Sequence, residues 1–192
     1  MKEVETKTYQ SPDTYLLLEE SASEKHEYRR GEITALAGAS LNHARIVRNV
    51  SSLLHNANSG CEVLMNDVKL QVKHNHDDAF YYPDLMVICG DFQVSDTHKD
   101  IVLNPILIIE VLSASTEKRD RGVKFQDYQK IDSLKEYVLI SQEEYSVEVF
   151  SREEQDEAWI YRRYSENSLT LRSLNLDLSL DDIYQDIDLV KE

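Results

Sequence analysis

With 192 residues, 41% hydrophobic and 30% charged, the chain is long enough for one domain with a real core and has the composition of a soluble globular protein. Its formal net charge of −15 argues against a broad polyanion-binding surface, because a strongly negative field repels nucleic acid. No apolar run approaches the roughly 18 residues of a membrane span, residues 1–5 lack the apolar core of a signal peptide, and the two cysteines, Cys61 and Cys89, read as reduced core thiols of a cytosolic protein.

Ser11-Pro12-Asp13-Thr14 before Tyr15-Leu16-Leu17-Leu18 predicts a helix start, with Ser as N-cap and Pro in the first turn. Residues 26–36 predict a hairpin turning at Arg30-Gly31. Ser40 caps a longer helix to about Asn56, in which Ile46, Val47, Val50, Leu53, Leu54 and Ala57 recur at spacings of three and four. His43 shares that inward stripe at the N-terminal end, where the helix dipole favours anions. It reads either as a hydrogen-bonded boundary histidine or as a site residue contacting phosphate, metal or water. Residues 62–73 alternate as one half-buried strand, with Leu64, Val68, Leu70 and Val72 near one face, and His74 to Asp78 reads as a plain polar loop with no fixed ligand geometry.

Phe80 to Cys89 predicts an apolar strand, with Asp84 near its start just after Pro83. A polar excursion follows to Lys99. Asn104 to Ser113 is the stretch that organises the chain, a buried strand carrying one charge, Glu110. A carboxylate taken out of water costs several kcal/mol unless something pairs it. Strand parity puts Glu110 on one face with Ile106, Ile108 and Leu112, so that face needs a cation: a metal, a lysine or an arginine. Ser113-Ala114-Ser115-Thr116 supplies caps for a helix from about Thr116 or Asp120 to Ile131, with Lys124, Tyr128 and Ile131 on one side. Lys118, Arg119, Arg121, Lys124 and Lys130 make this region basic, either as a local patch or as a solvated face, whereas residues 152–157 and 181–192 are acid-rich. Glu136 to Ile140 is the next buried strand, and strand–helix–strand implies a right-handed parallel crossover beside the Glu110 strand. Beyond it come short antiparallel strands at 147–150, 159–164 and 169–171, and a short closing helix at 180–184 behind Ser179. The whole reads as one α/β domain with a core of about 10–185.

If the Asp84 and Glu110 strands pair, the two carboxylates converge at one end. Two hard oxygen ligands plus waters suit Mg²⁺, with Mn²⁺ as a substitute. Leu112 occupies the same-face position two residues after Glu110, so the available ammonium is Lys124, provided its helix leans over the strand ends. Such a set is hydrolytic: the metal polarises a phosphoryl oxygen and acidifies bound water, and the ammonium stabilises the hydroxide or the developing charge. Two quieter readings stand beside it. Asp120, one turn before Lys124, could pair with the lysine and silence it, or Glu110 and Lys124 could form a purely structural buried ion pair.

Tyr82-Pro83-Asp84, Glu110-Val111-Leu112-Ser113-Ala114-Ser115-Thr116, Asp120-Arg121-Gly122-Val123-Lys124 and Tyr128 resemble the Uma-two family. So do Glu27-Tyr28-Arg29-Arg30-Gly31-Glu32-Ile33 and Gly38-Ala39-Ser40 with His43. The resemblance implies a PD-(D/E)XK restriction-endonuclease-like fold: a mixed sheet flanked by helices, with additional antiparallel strands at the C-terminus. It implies a Mg²⁺-dependent endonuclease acting on DNA, with Asp84 and Glu110 as metal ligands and the Val111 carbonyl as a third. Lys124 would be the migrated equivalent of the motif lysine, and Glu27 and His43 supporting site residues. Leu112 departs from the parent pattern, which motivates the alternative of a catalytically silent module used for binding or assembly. A cytoplasmic homodimer is the further expectation, from nuclease relatives that cut two strands.

Overall fold

A computed structural model describes residues 9–57, 60–73, 78–153 and 158–189. The expected loop at 74–77 and part of each acid-rich stretch lie outside these residues.

Helix α1 (Pro12–Ser21) begins as the sequence dictates: Ser11 is the N-cap, its hydroxyl accepting from the Thr14 amide. Strands β1 (His26–Arg29) and β2 (Glu32–Ala35) form the hairpin, and Arg30 and Gly31 both take positive φ, as a two-residue turn of this kind requires. Tyr15 and Tyr28 stack at 5.3 Å over Phe80 and Ile101, so α1 closes one face of the first sheet. Helix α2 (Leu41–Asn56) is capped by Ser40, which accepts from the His43 amide, and buries the stripe Ile46, Val47, Val50 and Leu54.

Two expected strands are each broken in two. Residues 62–73 become β3 (Cys61–Met65) and β4 (Lys69–Val72), which lie in different sheets. Leu64, Val68, Leu70 and Val72 do share one core, but Asn66-Asp67 between them is a turn, and period-two patterning does not register a turn that restores the phase. Likewise residues 80–89 become β5 (Ala79–Tyr81) and β6 (Leu85–Cys89), broken at Tyr82-Pro83-Asp84 because proline cannot donate to a central ladder. A short β7 (Ile101–Val102) then pairs in parallel with β4, and β8 (Leu107–Leu112) is buried at all six positions.

After β8 the expected helix is a composite. It consists of α3 (Glu117–Arg119), a π-helical turn over Asp120–Lys124, and α4 (Phe125–Tyr128). Strand β9 (Glu136–Ser141) pairs in parallel with β8, Glu110 opposite Leu139, which completes the crossover. Strands β10 (Val147–Arg152), β11 (Trp159–Tyr164), β12 (Ser168–Leu171) and β13 (Leu176–Ser179) follow as antiparallel pairs, β13 being unforeseen, and α5 (Leu180–Ile183) closes the chain.

The larger sheet has the order β11-β10-β9-β8-β6-β3 and the smaller β2-β1-β5-β4-β7. Alternate residues of β6, β8 and β9 feed two cores. Leu85, Val87, Leu107, Ile109, Val111, Val138 and Ile140 pack with α2, α5 and the β12–β13 hairpin. Met86, Ile88, Ile108, Leu112, Tyr137 and Leu139 pack with the smaller sheet and with Tyr128 and Ile131. Glu110 shares the face of Ile108 and Leu112, as parity requires, whereas Ile106 precedes the strand and packs with the first core. Cys61 stands directly opposite Cys89 across β3 and β6, and the two are joined in a disulfide. This corrects the expectation of reduced thiols: their spacing of 28 residues gave no sign of the register that makes them partners. Among the described residues, no helix is long and apolar enough to cross a membrane.

Candidate active site

The break at Pro83 places Asp84 just before β6 enters the larger sheet, and the pairing Leu85 with Ile109 sets it beside Glu110. The Asp84 amide donates to Glu110 Oε2 at 3.3 Å, and Asp84 Oδ2 accepts the Val111 amide at 2.7 Å. His43, held in the first turn of α2 by the Ser40 cap, brings Nε2 to 3.0 Å from the same Oδ2. The inward stripe of α2 therefore does carry its histidine to the carboxylate.

Glu110 Oε1 takes two donors, Lys124 Nζ at 3.0 Å and the Tyr128 hydroxyl at 2.9 Å. Lys124 is 5% exposed and touches two further carboxylates, Glu27 Oε1 at 2.9 Å from β1 and Asp120 Oδ1 at 3.3 Å. Arg119 holds the other Glu27 oxygen at 3.1 Å. The helix leans over the strand ends as the hydrolytic scheme needs, with Asp120 and Lys124 both turned inward across the π-helical turn, a deformation frequent at functional sites. Asp120 does pair with Lys124, but as one of three carboxylates around it. Arg119 had no role in the sequence reading, because one arginine in a basic helix looks like any solvated cation. Only its position one residue before Asp120 could have drawn attention to it.

Four carboxylates, Glu27, Asp84, Glu110 and Asp120, thus face two fixed cations, Lys124 and Arg119. The imbalance shows in the acids. Burial pushes the Glu110 carboxyl up to about 8, opposed by Lys124 and reinforced by Asp120, Asp84 and Glu27. Burial likewise raises Asp120, against the pull of Lys124. For Lys124, burial alone acts downward, but Glu110, Glu27 and Asp120 outweigh it and hold the ammonium well above its usual range. Lys124 is a committed cation.

Two oxygens remain open toward a cavity of about 380 Å³ lined by His43, Asp84, Glu110, Val111, Asp120 and Lys124. Among the described residues no donor reaches Asp84 Oδ1, and Glu110 Oε2 has only the long bond from the Asp84 amide. No three histidine, cysteine or acidic side chains among the described residues cluster closely enough to hold an ion alone. A pair of carboxylates completed by water is nevertheless the set that Mg²⁺ accepts, and a divalent cation would offset the excess negative charge. The residues fit that ion.

The model of the family described as "Uma2: Putative restriction endonuclease" matches residues 12–182. The chain belongs to the Uma2 family. Two Synechocystis proteins with no described function are similar to it. The protein slr1290 is 35% identical over 178 residues, 91% of each chain, and sll1609 is 40% identical over 140 residues, 72% of this chain and 78% of its own. A solved structure from Anabaena variabilis, titled a putative nuclease belonging to DUF820, superposes with a TM-score of 0.72 at 17% identity, covering 91% of this chain and 97% of that one. The likeness is one of fold: the Uma2 chain shares with that structure a mixed α/β architecture, and its C-terminal end carries antiparallel strands.

Proposed function

We propose that this Uma2 protein is a Mg²⁺-dependent endonuclease that hydrolyses phosphodiester bonds of DNA. One observation carries the reading: Asp84 and Glu110 arrive side by side from two paired strands, each with an oxygen open to the same cavity, and Lys124 lies 3.0 Å from Glu110. Asp84 and Glu110 would hold the ion, with the Val111 carbonyl as a third ligand. When bound, the ion supplies Lewis acidity and an acidified water. The protein's own part is positional. His43 and the Val111 amide fix the Asp84 carboxylate, Tyr128 and Lys124 fix Glu110, and Glu27 with Asp120 fixes Lys124 in its charged form beside the cavity. An ammonium so placed stabilises negative charge developing on a phosphoryl group. It replaces the motif lysine that Leu112 displaces.

The test is nicking of supercoiled DNA in Mg²⁺. Wild type is expected to nick, and Asp84→Ala and Glu110→Ala to lose the activity by at least two orders of magnitude. Absence of nicking by wild type across metals and salt would favour the alternative, a silent module used for binding or assembly, for which the saturation of Lys124 by three carboxylates speaks. A cytoplasmic location and a homodimer belong to the same proposal. The Cys61–Cys89 link weighs against a reducing compartment. Thiol titration of freshly lysed cells decides this, two free thiols being the result a cytoplasmic protein would give.

A further inference from the structure

The acids and the ammonium lie at the bottom of a slot. Glu27, Glu110, Asp120 and Lys124 are each at most 5% exposed. One wall is Ala37-Gly38-Ala39-Ser40, leading into α2, and the other is the Ser113 to Thr116 loop. The Ser40 hydroxyl is hydrogen-bonded to Gln142 from beyond β9, which ties the mouth. About 380 Å³ is near the lower end of small-ligand sites, roughly 300–1,000 Å³. That admits one nucleotide unit and not a base pair with both its backbones.

Charge points the same way. Duplex binding rests on rows of phosphate contacts made by lysine and arginine. Among the described residues, Lys25 and Lys124 are the only lysines or arginines that line the slot, and Lys124 is saturated. The adjoining cavity past Ser40 and Gln142 is lined by Glu143, Glu144 and Asp188, the last two paired with Arg163 and Arg45, and offers no row of cations to a second strand. On the opposite wall, Lys25 pairs with Asp67, which is 82% exposed and therefore a weak, exchangeable partner. Lys25 and Lys69 both lie over the Tyr82 ring, at 5.5 and 5.8 Å from its centroid. Lys69 is 8% exposed, and no carboxylate among the described residues pairs with it. Lys69 is held between the Tyr15 and Tyr82 rings behind this wall, so Lys25 is the ammonium that offers a place for one phosphate next to the reacting one.

We infer that the site takes a single DNA strand, one nucleotide entering the slot and the neighbouring phosphate resting on the Lys25–Tyr82 wall. This rests on the nuclease reading but is read out by binding. The experiment measures anisotropy of a fluorescent single-stranded oligonucleotide and of its duplex with wild-type protein, with Ca²⁺ in place of Mg²⁺. The single strand is expected to bind at least about tenfold more tightly, a difference of 1.4 kcal/mol. Its salt dependence should be shallow, with a log–log slope of about −0.7 to −1.4, as one or two phosphate contacts give. Lys25→Met should weaken it several-fold and flatten the slope by about 0.7, while Lys135→Met, at an exposed site elsewhere, changes neither. Equal or tighter duplex binding, or a slope steeper than about −4, overturns the inference while leaving Mg²⁺-dependent nicking intact. Binding of neither form overturns it together with the nuclease reading.

Discussion

Asp127 and Glu110 are both buried carboxylates served by the same helical segment, and they are buried on opposite terms. Asp127, fully enclosed, receives Arg29 Nε and the Tyr81 hydroxyl at 2.6 Å and Lys130 Nζ at 3.1 Å, and these donors outweigh burial and hold its carboxyl below the usual range. Glu110 receives Lys124 and Tyr128, but Asp84, Asp120 and Glu27 crowd it and its carboxyl is pushed up to about 8. One carboxylate is completed by its surroundings and ties β1, β5 and α4 together. The other is crowded by like charges that hold its proton on, and it has an oxygen facing a cavity. Folding accounts for the first arrangement and is poorly served by the second, which is where a substrate or an ion gains most.

The largest expected effect is at the structural carboxylate. Asp127→Ala strands Arg29 and should cost about 3–5 kcal/mol in urea denaturation. The sign with pH follows from the lowered folded value. The stability lent by Asp127 is present above the unfolded pKa of about 3.9 and is lost as pH falls through the still lower folded one, so wild type and variant converge in acid. A loss below about 1 kcal/mol would break the contrast between the two sites.

At the other carboxylate the expectation reverses. The double change Glu110→Gln with Lys124→Met should leave stability within about 1 kcal/mol of wild type or raise it, because a crowded buried pair is replaceable. Glu110→Gln alone should flatten the pH profile. The stability contributed by the raised carboxyl is full below about pH 4.5 and is lost as pH rises through about 8, with a slope of at most about 1.4 kcal/mol per unit. The variant should lack that decline. A smaller effect is expected of Asp120→Asn. Removing one crowding charge should move the Glu110 titration downward by a fraction of a unit, seen by carboxyl carbon NMR, with little change in Tm.

Much of this was legible from residue order. Glu110 in an otherwise apolar strand demanded a cation, and β8, the crossover and Lys124 answer that demand. His43 was placed by its phase on an amphipathic helix. What escaped was whatever depends on contacts distant along the chain. The split at Asn66-Asp67 and the Cys61–Cys89 register are set by which sheet each strand joins, information that no local pattern holds. The number of carboxylates around Lys124 depends on β1 reaching the crossover helix, a separation of 97 residues between Glu27 and Lys124. Pro83, by contrast, was legible and under-read, since a proline inside an apolar run already argued for two strands.

The central claim is that Asp84 and Glu110 together form a divalent-cation site, and calorimetric titration with Mn²⁺ near pH 7 tests it most directly. The account predicts one site per chain, with proton release as Glu110 ionises, abolished in Asp84→Ala and in Glu110→Gln while both variants remain folded. Binding that survives in either variant, or no binding by wild type, would contradict it.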